Sequence, residues 1–300
     1  MTQATPADPT ATDVTRLEVP SAGGVMLQAY RWDPEGDPRA IVQLSHGMGE
    51  HALRYAPLAT RLAGEGYVVY AHDHRGHGAT AGAPGAFGLL GETGWEELVR
   101  DLGRVGAMAK DAHPGLPLAL VGHSMGSFAA QQFALEHSRD LSALVLSGTA
   151  AIDLMQVGMD LDVPMDLSAF NGPFQPQRTD FDWLSRDDVQ VDAYIADPQC
   201  GFGIDIPGSR AMFAGAQGVA DPERLAGMRR DLPVYVVVGT MDPVNRGMAH
   251  VEELVRRYEA AGLEDVSLVA YPDARHEVFN ETNRDEVVAG LVSWLAERLG

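Results

Sequence analysis

The stretch that most constrains this chain is Leu118-Ala119-Leu120-Val121-Gly122-His123-Ser124-Met125-Gly126-Ser127-Phe128. An apolar run that closes on Gly-x-Ser-x-Gly and continues into small and apolar residues reads as strand, sharp turn, helix. Ser124 is then a candidate nucleophile held in a strained turn, and Gly122 and Gly126 remove the side chains that would crowd it. The helix expected from Ser127 to about His137 aims its first N–H groups at the serine, where negative charge is favoured. A short pattern with free positions also arises by chance as a plain glycine turn. The rest of the chain therefore has to supply a sheet, a base and an acid.

The sheet is legible as a series of apolar runs. Arg16 to Pro20 and Val25 to Trp32 flank Ser21-Ala22-Gly23-Gly24, a hairpin signal. Ala40 to Ser45, Tyr67 to Ala71, Leu141 to Leu146, Leu232 to Val238 and Val266 to Tyr271 are continuous apolar segments of the kind buried on both faces. Helical spacing separates them, at Arg54 to Gly64, Trp95 to Asp111, Ala249 to Ala261 and Arg284 to Leu299. Such alternation predicts an α/β fold with a mostly parallel, doubly wound sheet. It breaks between residues 151 and 230, where prolines, glycines and short amphipathic pieces such as Asp187 to Ile195 intervene. A structureless loop of that length does not suit a compact domain, so an inserted, mainly helical cap is expected there. Residues 16–150 and 231–300 form the core, and residues 1–15, rich in Thr, Ala, Pro and Asp, read as a disordered leader.

Composition narrows the partners. With 300 residues, 45% of them hydrophobic, the chain can bury one large core. A net charge of −20 works against nucleic acid and anionic membranes, because a phosphate surface needs clustered Lys and Arg. The single cysteine, Cys200, cannot close an internal disulfide. No run approaches the roughly 20 apolar residues of a membrane span. The expectation is a cytoplasmic protein without stable membrane insertion, whose partner is a small molecule.

Base and acid follow from strand ends. The run Val234 to Val238 leads into Gly239-Thr240-Met241-Asp242, and Val266 to Ala270 leads into Tyr271-Pro272-Asp273-Ala274-Arg275-His276. Serine, acid and histidine thus occur in the order that a nucleophile-elbow triad requires, each just past a strand. His276 takes the Ser124 proton, and Asp242 fixes its tautomer and stabilises the imidazolium. An Asp-Pro turn and a surface histidine are the ordinary explanations of these two residues taken singly; their joint placement favours the triad. An oxyanion hole needs two backbone N–H groups. Met125, after the nucleophile, supplies one, and Met48 in His46-Gly47-Met48-Gly49, after the strand Ile41 to Leu44, supplies the other. This chemistry needs no cofactor and no metal.

His46-Gly47-Met48-Gly49-Glu50-His51, Asp73-His74-Arg75-Gly76-His77-Gly78, Gly122-His123-Ser124-Met125-Gly126, Asp242-Pro243-Val244 and His276-Glu277-Val278-Phe279-Asn280-Glu281 together carry a resemblance. They resemble the monoacylglycerol lipase and lysophospholipase branch of the α/β-hydrolase superfamily, of the serine aminopeptidase S33 type. The resemblance covers most of the chain and implies the α/β-hydrolase fold, the triad Ser124, Asp242 and His276, the donors Met48 and Met125, and a cap over the site. Ser127 departs from it, since many members carry a second glycine there.

The expected activity is hydrolysis of carboxylic esters, with monoacylglycerol- or lysophospholipid-like monoesters as substrates. Short-chain or synthetic esters, acyl transfer by the same triad, and ligand binding without catalysis are the alternatives. Glu50, His51 and His123 lie beside the hole or the nucleophile in sequence, and serve to fix the loop or bind a polar head group. Met155, Met159, Phe174 and Phe213 are expected to line an acyl channel, flexible methionines suiting chains of several lengths. His72, His74 and His77 invite a metal site, but their spacing fits no paired-histidine helix motif, and a polar turn is the simpler account.

Overall fold

The computed structural model describes residues 14–156 and 159–300. Its strands are β1 (Thr15–Pro20), β2 (Met26–Trp32), β3 (Ala40–Ser45), β4 (Tyr67–His72), β5 (Leu118–His123), β6 (Ala143–Ser147), β7 (Val234–Gly239) and β8 (Val266–Tyr271). They form one sheet in the order β1-β2-β4-β3-β5-β6-β7-β8. β2 runs antiparallel to both of its neighbours, and every other pairing is parallel.

Why the central strands are apolar throughout is visible in how successive residues divide between two cores. Ile41, Leu118, Leu120, Leu144 and Leu146 face one apolar cluster. Their neighbours Val42, Ala119, Val121, Ala143 and Val145 face another. Helices α1 (Ala56–Gly64), α2 (Gly78–Ala81), α3 (Gly94–Ala112) and α4 (Met125–His137) precede the break after β6. Leu98 and Leu102 of α3 and Phe128 of α4 join the first cluster, whereas Leu58 and Leu62 of α1 join the second. With helices on both faces, each residue of β3 to β7 is buried whichever way it points.

Between β6 and β7 lie α5 (Ile152–Met155), α6 (Asp188–Ala196), α7 (Ile206–Ala220) and α8 (Pro222–Ala226). Aspartates start the last three: Asp187, Asp205 and Asp221 accept from the N–H groups of Val189, Gly208 and Glu223. α7 is a departure from the expected pattern, since Pro207, Gly208, Gly215 and Gly218 obscure it. Proline in the first turn suits a helix, and Met212, Phe213, Ala216 and Val219 give it a buried face. Helices α9 (Ala249–Ala260) and α10 (Arg284–Leu299) complete the chain. β1 starts at Thr15, so the expected leader of residues 1–15 overlaps the sheet at its end; residues 1–13 of it lie outside the described residues.

Candidate active site

Parallel strands end on the same edge of a sheet, so the loops after β3, β5, β7 and β8 converge. At the end of β5, Ser124 has φ 50° and ψ −121°, a sparsely populated backbone state for a residue with a side chain. The turn is held by Ser124 N–H donating to the Ser147 carbonyl at 2.9 Å. Its flanking glycines are dictated by space. A Cβ on Gly122 falls 2.6 Å from the Gly126 carbonyl oxygen, and one on Gly126 strikes the carbonyl oxygens of Ser45 and His46. Ser127 has its own role at this point. Its hydroxyl donates to the Ser124 carbonyl at 2.6 Å and lies 2.8 Å from Thr149 Oγ1, so the start of the helix accommodates a serine.

His276 and Asp242 meet with Nδ1 2.9 Å from Oδ2, and Asp242 Oδ1 accepts the Val244 N–H at 2.9 Å. Both side chains are buried. The carboxylate orients the ring so that Nε2 is the nitrogen left for a proton. Burial opposes charge on His276, but Asp242, with Glu277 and Glu50 behind it, holds its pKa above the ordinary imidazole value. The neighbouring His123, whose ring centroid is 4.7 Å from that of His276, is pushed the other way. Burial and the adjacent His276 hold it well below the ordinary value, so it stays neutral. Ser124 and His276 line the same cleft.

The loop after β3 lies against the nucleophile: a Cβ on Gly47 comes within 3.2 Å of Ser124 Cβ. Met48 lines the cleft, and Met125, as the first residue of α4, has an N–H with no acceptor within its helix. Glu50 anchors the loop from the core. Its Oε1 accepts the Gly47 N–H at 2.5 Å and the Tyr55 hydroxyl at 2.7 Å. Arg54 joins this carboxylate to Glu277, with Nη1 2.5 Å from Glu50 Oε2 and both terminal nitrogens on Glu277 at 2.6 and 2.8 Å. One guanidinium cannot neutralise two buried carboxylates. Burial raises the pKa of Glu50, whereas Arg54 outweighs burial at Glu277 and takes it to about 2. Arg54, Tyr194 and Glu277 are absent from the sequence-based site; the local signals are the four-residue spacing of Glu50 and Arg54 and the place of Glu277 beside His276.

Apart from Glu50, His123, Ser124, His276 and Glu277, the walls of the cleft are overwhelmingly apolar. Met155 and Phe213 line it, with Met165, Phe170, Trp183 and Met212. Other expected wall residues lie elsewhere. Phe174 sits beneath the Arg275 guanidinium, 4.6 Å from its ring centroid, where a cation outcompetes the cleft for the aromatic face. Met159 lines an adjoining groove that shares Met155, Met165, Phe170 and Val244 with the cleft. His51 turns away to Asp197, Nε2 to Oδ2 2.9 Å.

His72 ends β4 and His74 and His77 belong to the turn after it, where the His77 N–H donates to the His74 carbonyl at 3.0 Å; all three side chains are buried. Burial takes His72 and His77 down to about 4, and both ring nitrogens of His72 lack a hydrogen-bond partner among the described residues. His51, Asp197 and Cys200 bring potential ligand atoms within 4.8 Å of one another. The first two already share a hydrogen bond, and burial pushes the Cys200 thiol up, away from the thiolate a metal requires.

Comparison with known proteins places this geometry. The family model described as serine aminopeptidase, S33, matches residues 36–283. The chain is 35% identical to the monoacylglycerol lipase of Mycolicibacterium smegmatis, over 92% of this chain and 95% of that one. It is 32% identical to the monoglyceride lipase of Homo sapiens, over 93% and 89%. Among solved structures it is similar to a highly thermostable carboxyl esterase from Bacillus coagulans in complex with glycerol, with a TM-score of 0.86 and 28% identity, covering 96% of this chain and 100% of that one.

Proposed function

The chain belongs to the serine aminopeptidase S33 family of α/β-hydrolases and is a carboxylic ester hydrolase; from that premise we propose an acyl-enzyme mechanism on Ser124. The observation that carries it is Ser124, strained at the end of β5, sharing one apolar cleft with His276, whose Nδ1 is held by the buried Asp242. Ser124 Oγ attacks the ester carbonyl carbon while His276 Nε2 takes its proton. Charge developing on the carbonyl oxygen is received by the N–H groups of Met48 and Met125. As the intermediate collapses, His276 returns the proton to the departing alkoxide. Water, deprotonated by the same imidazole, then attacks the acyl-serine, and the acid leaves.

Segment 151–230 acts as a cap that selects the acyl group. Met155, Met165, Phe170, Trp183, Met212 and Phe213 of this segment line the cleft, and each methylene buried there contributes roughly 0.8 kcal/mol. The substrates are accordingly medium- to long-chain monoesters with a small polar head, of the monoacylglycerol or lysophospholipid kind. An aminopeptidase reading finds less support, because the two carboxylates in the cleft wall, Glu50 and Glu277, are committed to Arg54 rather than free to receive a substrate ammonium. Among the described residues no helix is long and apolar enough to cross a membrane.

Incubation with a fluorophosphonate followed by peptide mass spectrometry tests the mechanism. A single adduct on Ser124 is the expected result, and folded protein that takes no label contradicts it. Running the ester reaction with glycerol as a competing acceptor separates hydrolysis from acyl transfer; the free acid is expected as the main product.

A further inference from the structure

The oxyanion loop is gripped from two sides. On the core side the Gly47 N–H is held by Glu50, as described above. On the other side the Gly49 carbonyl accepts the Tyr194 hydroxyl at 2.8 Å and the Gly201 N–H at 3.0 Å, and that same N–H lies 3.1 Å from Tyr194 Oη. Met48 therefore sits between an anchor from the core and an anchor from the cap. Three further observations tie the same pieces together. The Tyr194 ring is buried, with the Arg54 guanidinium 4.8 Å from its centroid. Asp197, three residues on, takes His51 at 2.9 Å. Gly49 has φ 65°, and a Cβ there strikes the Phe202 carbonyl oxygen and comes within 2.9 Å of Leu167 Cδ1, so cap backbone is seated directly on the loop.

We infer that Tyr194 is a positioning residue: through the Gly49 carbonyl it aims the Met48 N–H at the reacting oxygen, so that the hole is complete only while the cap is docked. The inference rests on the proposed role of Met48. Its physical basis is that an oxyanion donor works by being held in place before charge develops, and a glycine-rich loop supplies little stiffness of its own. The end of α6 and the turn after it provide that stiffness. Seating the cap and finishing the hole are then one event, and a substrate that keeps the cap open leaves the hole unfinished.

Tyr194→Phe keeps the ring and its contact with Arg54 and removes only the hydroxyl. The expected result is a fall in kcat of about tenfold with KM within about twofold, the loss of one hydrogen bond to the loop being felt in the transition state. A trifluoromethyl ketone, which adds Ser124 reversibly to give a tetrahedral oxyanion, is expected to lose affinity in the same proportion. A monoalkylglycerol ether, which carries no carbonyl, is expected to bind as before. Because Tyr194 also lines the cleft, equal losses for ketone and ether assign it to the wall and overturn the inference, as does unchanged kcat. Should Tyr194→Phe fail to fold, as read by circular dichroism, Asp197→Ala at the partly exposed His51 contact takes its place, with the same ketone-over-ether selectivity expected at about threefold; equal effects on the two ligands again overturn it. Fluorophosphonate labelling of the unaltered protein runs alongside. No label there overturns the serine mechanism itself, whereas a labelled, active protein with an unaffected Tyr194→Phe variant overturns only the clasp.

Discussion

The two walls of the cleft are built on different principles. On the core side, position is set by backbone: Ser124 sits at an unusual φ and ψ, and Gly122 and Gly126 have no room for a Cβ because main-chain atoms occupy that space. On the cap side, position is set by side chains on helices, such as Met155, Met212 and Phe213, with Phe170 and Trp183 from the connecting turns. Backbone that is locked by other backbone cannot give way without refolding, whereas a wall of methionines and aromatics repacks at modest cost. The contrast assigns the nucleophile and its base to the core wall and choice of substrate to the cap wall, with Tyr194 reaching from the cap to the oxyanion loop.

The largest effect that can break this contrast is on turnover. Ser124→Ala and His276→Ala are each expected to lower kcat by about 10⁴-fold or more, with thermal unfolding little changed. Asp242→Ala costs somewhat less. Because the residues act as a unit, the double variant Ser124→Ala/His276→Ala is expected to match the worse single variant, and a much slower double variant contradicts their cooperation.

A second effect separates backbone from side chain. Gly126→Ala drives a Cβ into the Ser45 carbonyl, and is expected to cost about 3 kcal/mol or more of stability, read by denaturant unfolding. Met212→Ala instead deletes buried side-chain atoms from the cap wall, at the cavity cost of a core methionine, about 2–5 kcal/mol, while leaving the elbow backbone in place. A tolerated Gly126→Ala contradicts the claim that backbone sets the elbow.

Acid provides a third. His276, held above the ordinary value of about 6.5, must be neutral to act as a base, so kcat/KM is expected to fall as pH drops through a midpoint above 6.5. Stability follows a different group. His72 and His77 have folded values of about 4, below their unfolded value. The unfolded chain therefore binds the extra protons, and stability that is full above pH 6.5 drains away between 6.5 and 4, by up to about 3 kcal/mol for each ring. Activity should thus be lost at a higher pH than structure. Replacing His72 with an apolar residue that still folds should remove one ring's share of the second limb and leave the first.

Legibility in sequence divides along the same line. The core strands announce themselves because each is a largely apolar run, and β5 with its Gly-x-Ser-x-Gly turn is a local signal that needs no partner to be read. Asp242 and His276 can be picked out because each follows such a strand. Arg54 cannot, since its role is to join Glu50 to Glu277, 223 positions away along the chain. Nor can Tyr194, whose partner is a backbone carbonyl in another part of the fold. In the cap, α7 is hidden by the proline and glycines that its Asp205 cap and buried face outweigh. Phe174 and His51 look like site residues until Arg275 and Asp197 are seen to hold them. What depends on one segment is readable from that segment; what depends on two distant ones is not.

The smallest and most telling effect concerns acyl-chain choice, because it asks whether the cap does the selecting. The measurement is kcat/KM for monoacylglycerols and p-nitrophenyl esters from two to sixteen carbons, made on the unaltered protein and on Phe170→Ala and Met212→Ala. The account predicts a rise from acetate to medium or long chains, and in the variants a loss of about tenfold confined to the longer esters. A monotonic fall from acetate upward that neither variant alters would show that the cap wall selects nothing, and would contradict the division of labour on which the account rests.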